Sequence, residues 1–242
     1  MGRMGYGYGS EFHLLRWMGR HREKFNEEVR KVIDVKGEKI EWLDFKFESK
    51  NFIPDRELKG LEFLERDKRK DEVLRAFKDK NGDHSWPQTG QVMNWDAVGR
   101  IGDTYILCEA KAHVEEVEKV HKVEESESVA QRLRAFEFAQ NKKRINASVK
   151  AEDWLRNYYQ MANRLYVLAL LHEHHVNAYL LNIYFCGDCH RDWDCPETDR
   201  QWREKVIKEE MEKLGIVNSD FVKKWVKHLF LPVFLPVDRS PQ

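Results

Sequence analysis

The chain has 242 residues, and its 42 basic side chains equal its 42 acidic ones, so its formal net charge is zero. This balance excludes a global positive field as the means of attracting a polyanion, although a local basic patch would still suffice. Charged residues make up 35% of the chain, and no apolar run is long enough to span a bilayer. We therefore expect no membrane partner and one well-buried domain.

Residues 1–12 are rich in glycine and tyrosine, and the Gly-Ser-Glu-Phe run at their end resembles a cloning scar. We expect a tag or disordered leader there, followed by a single domain over residues 13–242. No secretory signal is evident, so we expect the four cysteines to be reduced thiols and the location to be cytoplasmic. The sequence leaves the oligomeric state open, a homodimer included.

The first predicted element is an amphipathic helix that ends near Ile33. Its apolar side chains recur at helical spacing: Leu14, Met18, Phe25, Val29 and Val32. Glu28 lies beside this apolar stripe rather than opposite it, so it could approach the interior. A solvated surface charge is the competing interpretation of Glu28.

Two further segments follow the first helix. Leu43, Phe45 and Phe47 alternate with polar residues, which predicts a strand. The range 54–77 combines dense charge with spaced leucine and phenylalanine residues, which predicts one or two helices with a solvated face.

Two β-prone runs within residues 94–111 flank the dipeptide Gly102-Asp103, which suits a two-residue hairpin turn. With that turn, Ile101 faces Thr104 and the pairing continues outwards. The further predicted pairs are Val98 with Leu107, Asp96 with Glu109, and Asn94 with Lys111. One end of one face therefore gathers two carboxylates and an ammonium group.

Carboxylates placed face to face repel one another, which a strand pair built only for stability would avoid. A divalent cation between Asp96 and Glu109 removes the conflict, since Mg²⁺ takes carboxylate oxygens and keeps several waters. The Lys111 ammonium can hold an attacking water beside them. The alternative is an ion cluster on a solvated sheet face, where such pairs contribute little. The apolar run before Glu109 favours the metal site, because it is typical of a buried strand.

Two groups after the hairpin could contact a substrate. His113 has the same strand parity as Lys111, although a strand-end histidine without a role is an equal alternative. A helix resuming near Val129 ends in a basic cluster, which could contact backbone phosphates. This basic cluster consists of Lys142, Lys143 and Arg144. The dipole of a helix also attracts cations to its C-terminus, which is the competing explanation.

The strongest helical pattern covers residues 154–171, with Gln160 and Arg164 forming a separate polar stripe. Residues 176–185 then predict a buried strand. Two C-terminal helices follow, one over 201–214 and a second that runs from a cap near Asn218 through Leu229.

Three cysteines follow the predicted strand 176–185, namely Cys186, Cys189 and Cys195. The run Cys186-Gly-Asp-Cys189-His190 matches the pattern for covalent haem attachment, and a zinc site completed by His190 or another histidine is an alternative. The chain has no second Cys-x-x-Cys pair, so we expect neither zinc nor haem.

The order of these elements is helix, strand, hairpin, helices and strand, which indicates an α/β fold with a mixed sheet. Asp96 followed by Glu109-Ala110-Lys111 on the next strand resembles the signature of the PD-(D/E)xK phosphodiesterase superfamily, the restriction-endonuclease-like nucleases. Trp95 stands where the family name has proline, at a position that commonly varies in the superfamily. The resemblance implies an αβββαβ core with a mixed central sheet flanked by helices, here with C-terminal helices added.

The same resemblance implies that Asp96, Glu109 and the carbonyl of Ala110 bind Mg²⁺, with Mn²⁺ able to substitute. Lys111 would position the attacking water, Glu28 would complete the metal site, and Gln160 resembles a glutamine that reaches the active site in the exonuclease-like branch. The implied function is a magnesium-dependent nuclease acting on nucleic acid, with DNA expected over RNA. The alternative is a catalytically silent nucleic-acid-binding or regulatory protein that retains the fold.

Overall fold

The computed structural model of the protein describes residues 8–35, 39–44, 57–78, 85–86, 93–117, 127–189 and 194–234. Its helices are α1 (Ser10–Arg20), α2 (Arg22–Val32), α3 (Lys70–Lys78), α4 (Glu127–Gln140), α5 (Ala151–Arg156), α6 (Tyr159–Glu173), α7 (Asp199–Trp202), α8 (Lys208–Lys213) and α9 (Asp220–Trp225). Its strands are β1 (Glu41–Trp42), β2 (Leu58–Lys59), β3 (Asn94–Trp95), β4 (Ala97–Ile101), β5 (Thr104–Lys111), β6 (Ala178–Cys186) and β7 (Val226–Pro232).

A five-stranded mixed sheet lies at the centre, with strand order β1-β4-β5-β6-β7. The β4–β5 and β1–β4 pairs are antiparallel, whereas β6 runs parallel to both β5 and β7. Helices cover both faces of this sheet, which confirms the predicted mixed α/β class. The strands β2 and β3 form a separate two-stranded sheet.

The β4–β5 hairpin turns at Gly102, whose φ of 54° is the left-handed conformation expected there. Ile101 pairs with Thr104 and Val98 with Leu107, so the predicted register is confirmed. The strand ladder ends at the pair of Ala97 with Cys108. These pairs fix which face of the sheet each following residue of β5 meets.

Beyond Ala97 the chain departs from the predicted pairing. Asp96 is a bend residue whose N–H donates to the Cys108 carbonyl at 3.2 Å. Asn94 pairs with Lys59 of β2, so its predicted pairing with Lys111 is wrong. The buried indole of Trp95 donates to the Gly60 carbonyl at 2.8 Å and draws β3 away from the main sheet.

The two faces of β5 meet different helices. Leu107 belongs to the core that includes α6, whereas Cys108 and Ala110 pack with α1 and α2. Because side chains alternate along a strand, Glu109 and Lys111 lie on the α6 face. The α2 helix therefore covers the opposite face of the sheet from these two residues.

Two predicted helices are each divided. The first breaks at His21, which separates α1 from α2. The second breaks after Arg156, and Tyr158, the residue that precedes α6, adopts a left-handed conformation with φ of 49°. At both breaks the apolar residues keep their helical spacing. This spacing shows which face of a helix is buried, but it does not show where the chain changes direction.

The helix predicted through Leu229 is wrong, because α9 ends at Trp225 and the chain continues as β7. Leu229 and Leu231 are buried in the core that includes α1 and α2, whereas Val226 is buried in the core that includes α6. Spacings of three residues and two residues both occur in this run, so the pattern fits either element. The chain forms a strand here rather than a helix because it pairs in parallel with β6.

One or two helices are predicted in the charged range 54–77, and its described part contains two helical segments. Within its described part, β2 and a 3₁₀ helix over Glu62–Arg66 precede α3. The predicted strand residues Phe45 and Phe47 lie outside the described residues. No helix among the described residues is both long enough and apolar enough to cross a bilayer.

Candidate active site beside the β4–β5 hairpin

Glu109 is the centre of a buried charge cluster, with its side chain 8% exposed. The Lys111 Nζ donates to Glu109 Oε1 at 2.8 Å, and Arg164 of α6 donates to Oε2. Burial opposes ionisation, but the Arg164 and Lys111 charges outweigh it and lower the pKa of Glu109. Glu109 is therefore a carboxylate at neutral pH.

Lys111 also donates to the side-chain oxygen of Gln160 at 2.8 Å. Gln160 thus reaches the hairpin from α6. Burial opposes the charged form of Lys111, yet the carboxylates of Glu109 and Asp96 raise its pKa. Lys111 is an ammonium ion that can donate hydrogen bonds but cannot accept a proton.

Asp96 lies beside this pair, although it is not a ladder partner of Glu109. Its Oδ2 accepts a hydrogen bond from the N–H of Ala110 at 2.6 Å. Burial and the charge of Glu109 raise the pKa of Asp96 to about 8, against the effect of Lys111. The two carboxylates therefore lack sufficient positive charge around them to be ionised together.

Arg164 is a site residue to which the sequence assigned no role. Its Nη2 donates to the Asn94 carbonyl at 2.6 Å, and its guanidinium lies 4.7 Å from the ring centre of Trp95. The polar stripe that it forms with Gln160 was a usable signal, since four residues separate them on one helix face. The stripe did not reveal which strand residue Arg164 would meet.

A cavity of about 20 Å³ lies against Lys111 on the α6 face. The polar side chains that line it are Glu109, Lys111, Gln160, Arg164, Asn182, Tyr184 and Glu210. Sequence reasoning missed Glu210, which comes from α8. Its signal was position, because Glu210 lies four residues from both Val206 and Leu214, which are buried.

Two predicted site residues have other partners. Glu28 is on α2, across the sheet from Glu109, and forms an ion pair with Lys31 at 2.7 Å. His113 follows the end of β5 and is fully buried, where its Nε2 lies 2.6 Å from the Asp188 carbonyl. Its Nδ1 lies 3.0 Å from a Glu116 oxygen. The structure does not bring Glu28 or His113 to the Lys111 cavity.

The basic cluster after α4 divides into two kinds of residue. Lys142 and Lys143 are exposed, which suits contact with a polyanion. Arg144 instead forms an ion pair with Glu173 at 2.8 Å, and its guanidinium lies 3.8 Å from the ring centre of Phe138. Arg144 thus joins the end of α4 to the end of α6.

The cysteines differ from the expectation of four reduced thiols, because Cys189 and Cys195 form a disulfide. Both lie in the connection after β6, which brings their Cα atoms to 5.1 Å. This pairing removes two of the three sulfurs considered for zinc, and His190 lies outside the described residues. The expected cytoplasmic location loses the support of reduced thiols and stays a prediction.

The donor set at the hairpin fits Mg²⁺ only as an ion that arrives with other ligands. Asp96 and Glu109 offer hard carboxylate oxygens, and Mg²⁺ commonly uses one or two carboxylates together with waters and substrate phosphates. Within the described residues, no group of three or more histidine, cysteine or acidic side chains is arranged to hold a metal ion. The described residues therefore bring two carboxylates to the hairpin and do not form a closed metal cage.

Comparisons of the chain with protein-family models, with curated proteins and with solved structures found no match.

Proposed function

We propose that this protein is a magnesium-dependent phosphodiesterase that hydrolyses nucleic acid, with DNA expected over RNA. The observation that carries the proposal is the position of Asp96, Glu109 and Lys111 on one hairpin. The ammonium of Lys111 lies 2.8 Å from Glu109, and burial together with the Glu109 charge raises the pKa of Asp96. A divalent cation beside Asp96 would add positive charge to that of Lys111 and Arg164 and would favour the ionised form of Asp96.

In this proposal each side chain has a defined task. Asp96 and Glu109 would hold the metal with the Ala110 carbonyl, and the ion would supply positive charge that neutralises the phosphate. Lys111 donates a hydrogen bond to the attacking water and stabilises the negative charge that develops in the transition state. Gln160 orients Lys111 through the hydrogen bond between their side chains. Arg164 orients Glu109 in the same way.

The restriction-endonuclease-like core belongs to the same proposal. A helix layer precedes an antiparallel hairpin, a helix covers the hairpin, and a parallel strand follows it. This order supports an αβββαβ core, to which the C-terminal helices and β7 are additions. Lys142 and Lys143 are the proposed contacts to the polymer backbone.

One observation favours a second function, a nucleic-acid-binding or regulatory protein without catalysis. Both oxygens of Glu109 already accept hydrogen bonds, from Lys111 and from Arg164. Glu109 is therefore neutralised by the protein itself, as in a structural ion cluster. Buried clusters of this kind are kept in proteins without any chemistry.

The test is to incubate the protein with supercoiled, linear and single-stranded DNA and with RNA, in Mg²⁺ or Mn²⁺. We expect cleavage that EDTA abolishes and that Lys111→Ala or Asp96→Asn reduces at least about 100-fold. Lys213→Ala is the control, because this exposed lysine is on α8 and outside the proposed site. Binding of these polymers without cleavage by the wild type would favour the silent protein.

A further inference from the structure

Glu210 of α8 is a buried acid that lines the cavity beside Lys111. It is 5% exposed, and within the described residues its carboxyl group makes no hydrogen bond and no ion pair. A carboxyl group in the interior without a hydrogen bond is costly, so a ligand that pairs with it would be stabilising. Because Glu210 lines the cavity beside Lys111, that ligand would lie in the cavity.

The size and lining of the cavity suit one water molecule. Its volume of about 20 Å³ exceeds the minimum that a single water requires. Lys111 uses two ammonium hydrogens on Glu109 and Gln160, which leaves its third without a partner among the described residues. A water in the cavity can accept a hydrogen bond from Lys111 and donate one to Glu210. Asn182 is a further polar side chain that lines the cavity.

We propose that Glu210 is the general base of the hydrolytic reaction and that it acts on a water held between its carboxylate and Lys111. This inference rests on the proposed phosphodiesterase function and adds a catalytic residue to it. The other acidic groups are committed elsewhere, since Glu109 accepts from two cations and Asp96 accepts from Ala110. Lys111 cannot be the base while it is an ammonium ion.

The proposed step is balanced within the site and solvent. The water oxygen forms a bond to phosphorus while one of its protons passes to the Glu210 carboxylate. The ester P–O bond then breaks, and the leaving oxygen takes a proton from solvent. Glu210 returns its proton to solvent before the next turnover. Burial raises the pKa of Glu210 to about 8, against the effect of Lys111, so Glu210 becomes a carboxylate that can accept a proton as the pH rises through about 8.

The test compares Glu210→Gln with the wild type in the cleavage assay. Glutamine keeps the shape and the hydrogen bond to water but cannot accept the proton. We expect kcat to fall about 100-fold to 10,000-fold, with KM for the polymer and the activating Mg²⁺ concentration unchanged. Glu212→Gln is the matched control, because this exposed acid is on the same helix and should leave kcat unchanged.

The outcomes separate this assignment from the function on which it rests. Cleavage by Glu210→Gln at the wild-type rate overturns the role of Glu210 and leaves the phosphodiesterase proposal standing. An equal loss of thermal stability and of polymer affinity in this variant also overturns it, because both changes indicate a structural role. Failure of the wild type to cleave any polymer overturns the two proposals together.

Discussion

Arg164 donates two hydrogen bonds to a single oxygen of Glu109, with its Nε at 2.9 Å and its Nη2 at 2.8 Å from Oε2. Both side chains are buried, at 5% and 8% exposure. Such a pair is expensive to form, but losing one partner leaves an uncompensated charge in the interior. Both the candidate site and the stability of the fold therefore depend on Arg164.

We expect Arg164→Met to destabilise the protein by about 3–5 kcal/mol, because Glu109 would stay buried without its guanidinium. Urea denaturation at pH 7 measures the free energy of unfolding. Arg156→Met serves as the control, since this exposed arginine precedes α6 and should change the stability by less than about 0.5 kcal/mol. A similar loss in both variants would show that the Glu109 pair is not the cause.

Asp96→Asn should stabilise the metal-free protein at pH 8. Burial and Glu109 raise the folded-state pKa of Asp96 to about 8, above its ordinary value, so the folded state binds its proton more tightly than the unfolded state. The wild type therefore loses stability as the pH rises from about 4 to 8. Asparagine removes this loss and can still accept the hydrogen bond from Ala110.

Denaturation in EDTA at pH 8 and at pH 4 tests this. The stability difference between Asp96→Asn and the wild type should be largest at pH 8 and disappear near pH 4, where both side chains are neutral. A variant less stable than the wild type at pH 8 would contradict the repulsion between Asp96 and Glu109. Glu212→Gln should show no such dependence on pH.

The stability contribution of Asp67 depends on pH in the opposite direction to that of Asp96. Arg69 donates to both of its oxygens and Tyr105 donates at 3.1 Å, and these bonds lower the pKa of Asp67 to about 2. The stabilisation is present above about pH 4 and is lost as the pH falls through 2. We expect Asp67→Asn to lose about 2 kcal/mol at pH 7, with the difference vanishing near pH 2.

Urea titrations at several pH values measure this loss. The control is Glu65→Gln, an exposed acid in the adjacent 3₁₀ helix. A loss that is independent of pH would mean that packing rather than charge accounts for the effect of Asp67.

Gly215→Ala should destabilise the protein by about 2–4 kcal/mol. Gly215 has a φ of 64°, and an added Cβ would lie 2.8 Å from Ser148 Oγ and 2.9 Å from the Val149 nitrogen. Gly19→Ala is the matched control, since no atom lies within 4 Å of a Cβ there and the residue is within α1. Thermal unfolding should show a lower Tm for the first variant and an equal or higher Tm for the second.

The hairpin was predictable because a glycine turn fixes register locally, and the register of Val98 with Leu107 follows from it. The partners of Glu109 were not predictable in the same way. Arg164 is 55 residues away in sequence, and helical periodicity gives the face of a residue but not the strand that it meets. The role of Glu210 was not predictable for a similar reason. The helical pattern places this acid on the apolar face of α8, but it does not show that a cavity lies next to it.

Trp95 and Arg164 together have a mechanical consequence. The guanidinium contacts the Asn94 carbonyl and the Trp95 ring in the small sheet, and the Glu109 carboxylate in the large sheet. A displacement of the β2–β3 ribbon would thus shift the cation that neutralises Glu109. Arg164 is therefore the residue that couples the position of the small sheet to the charge balance at Glu109.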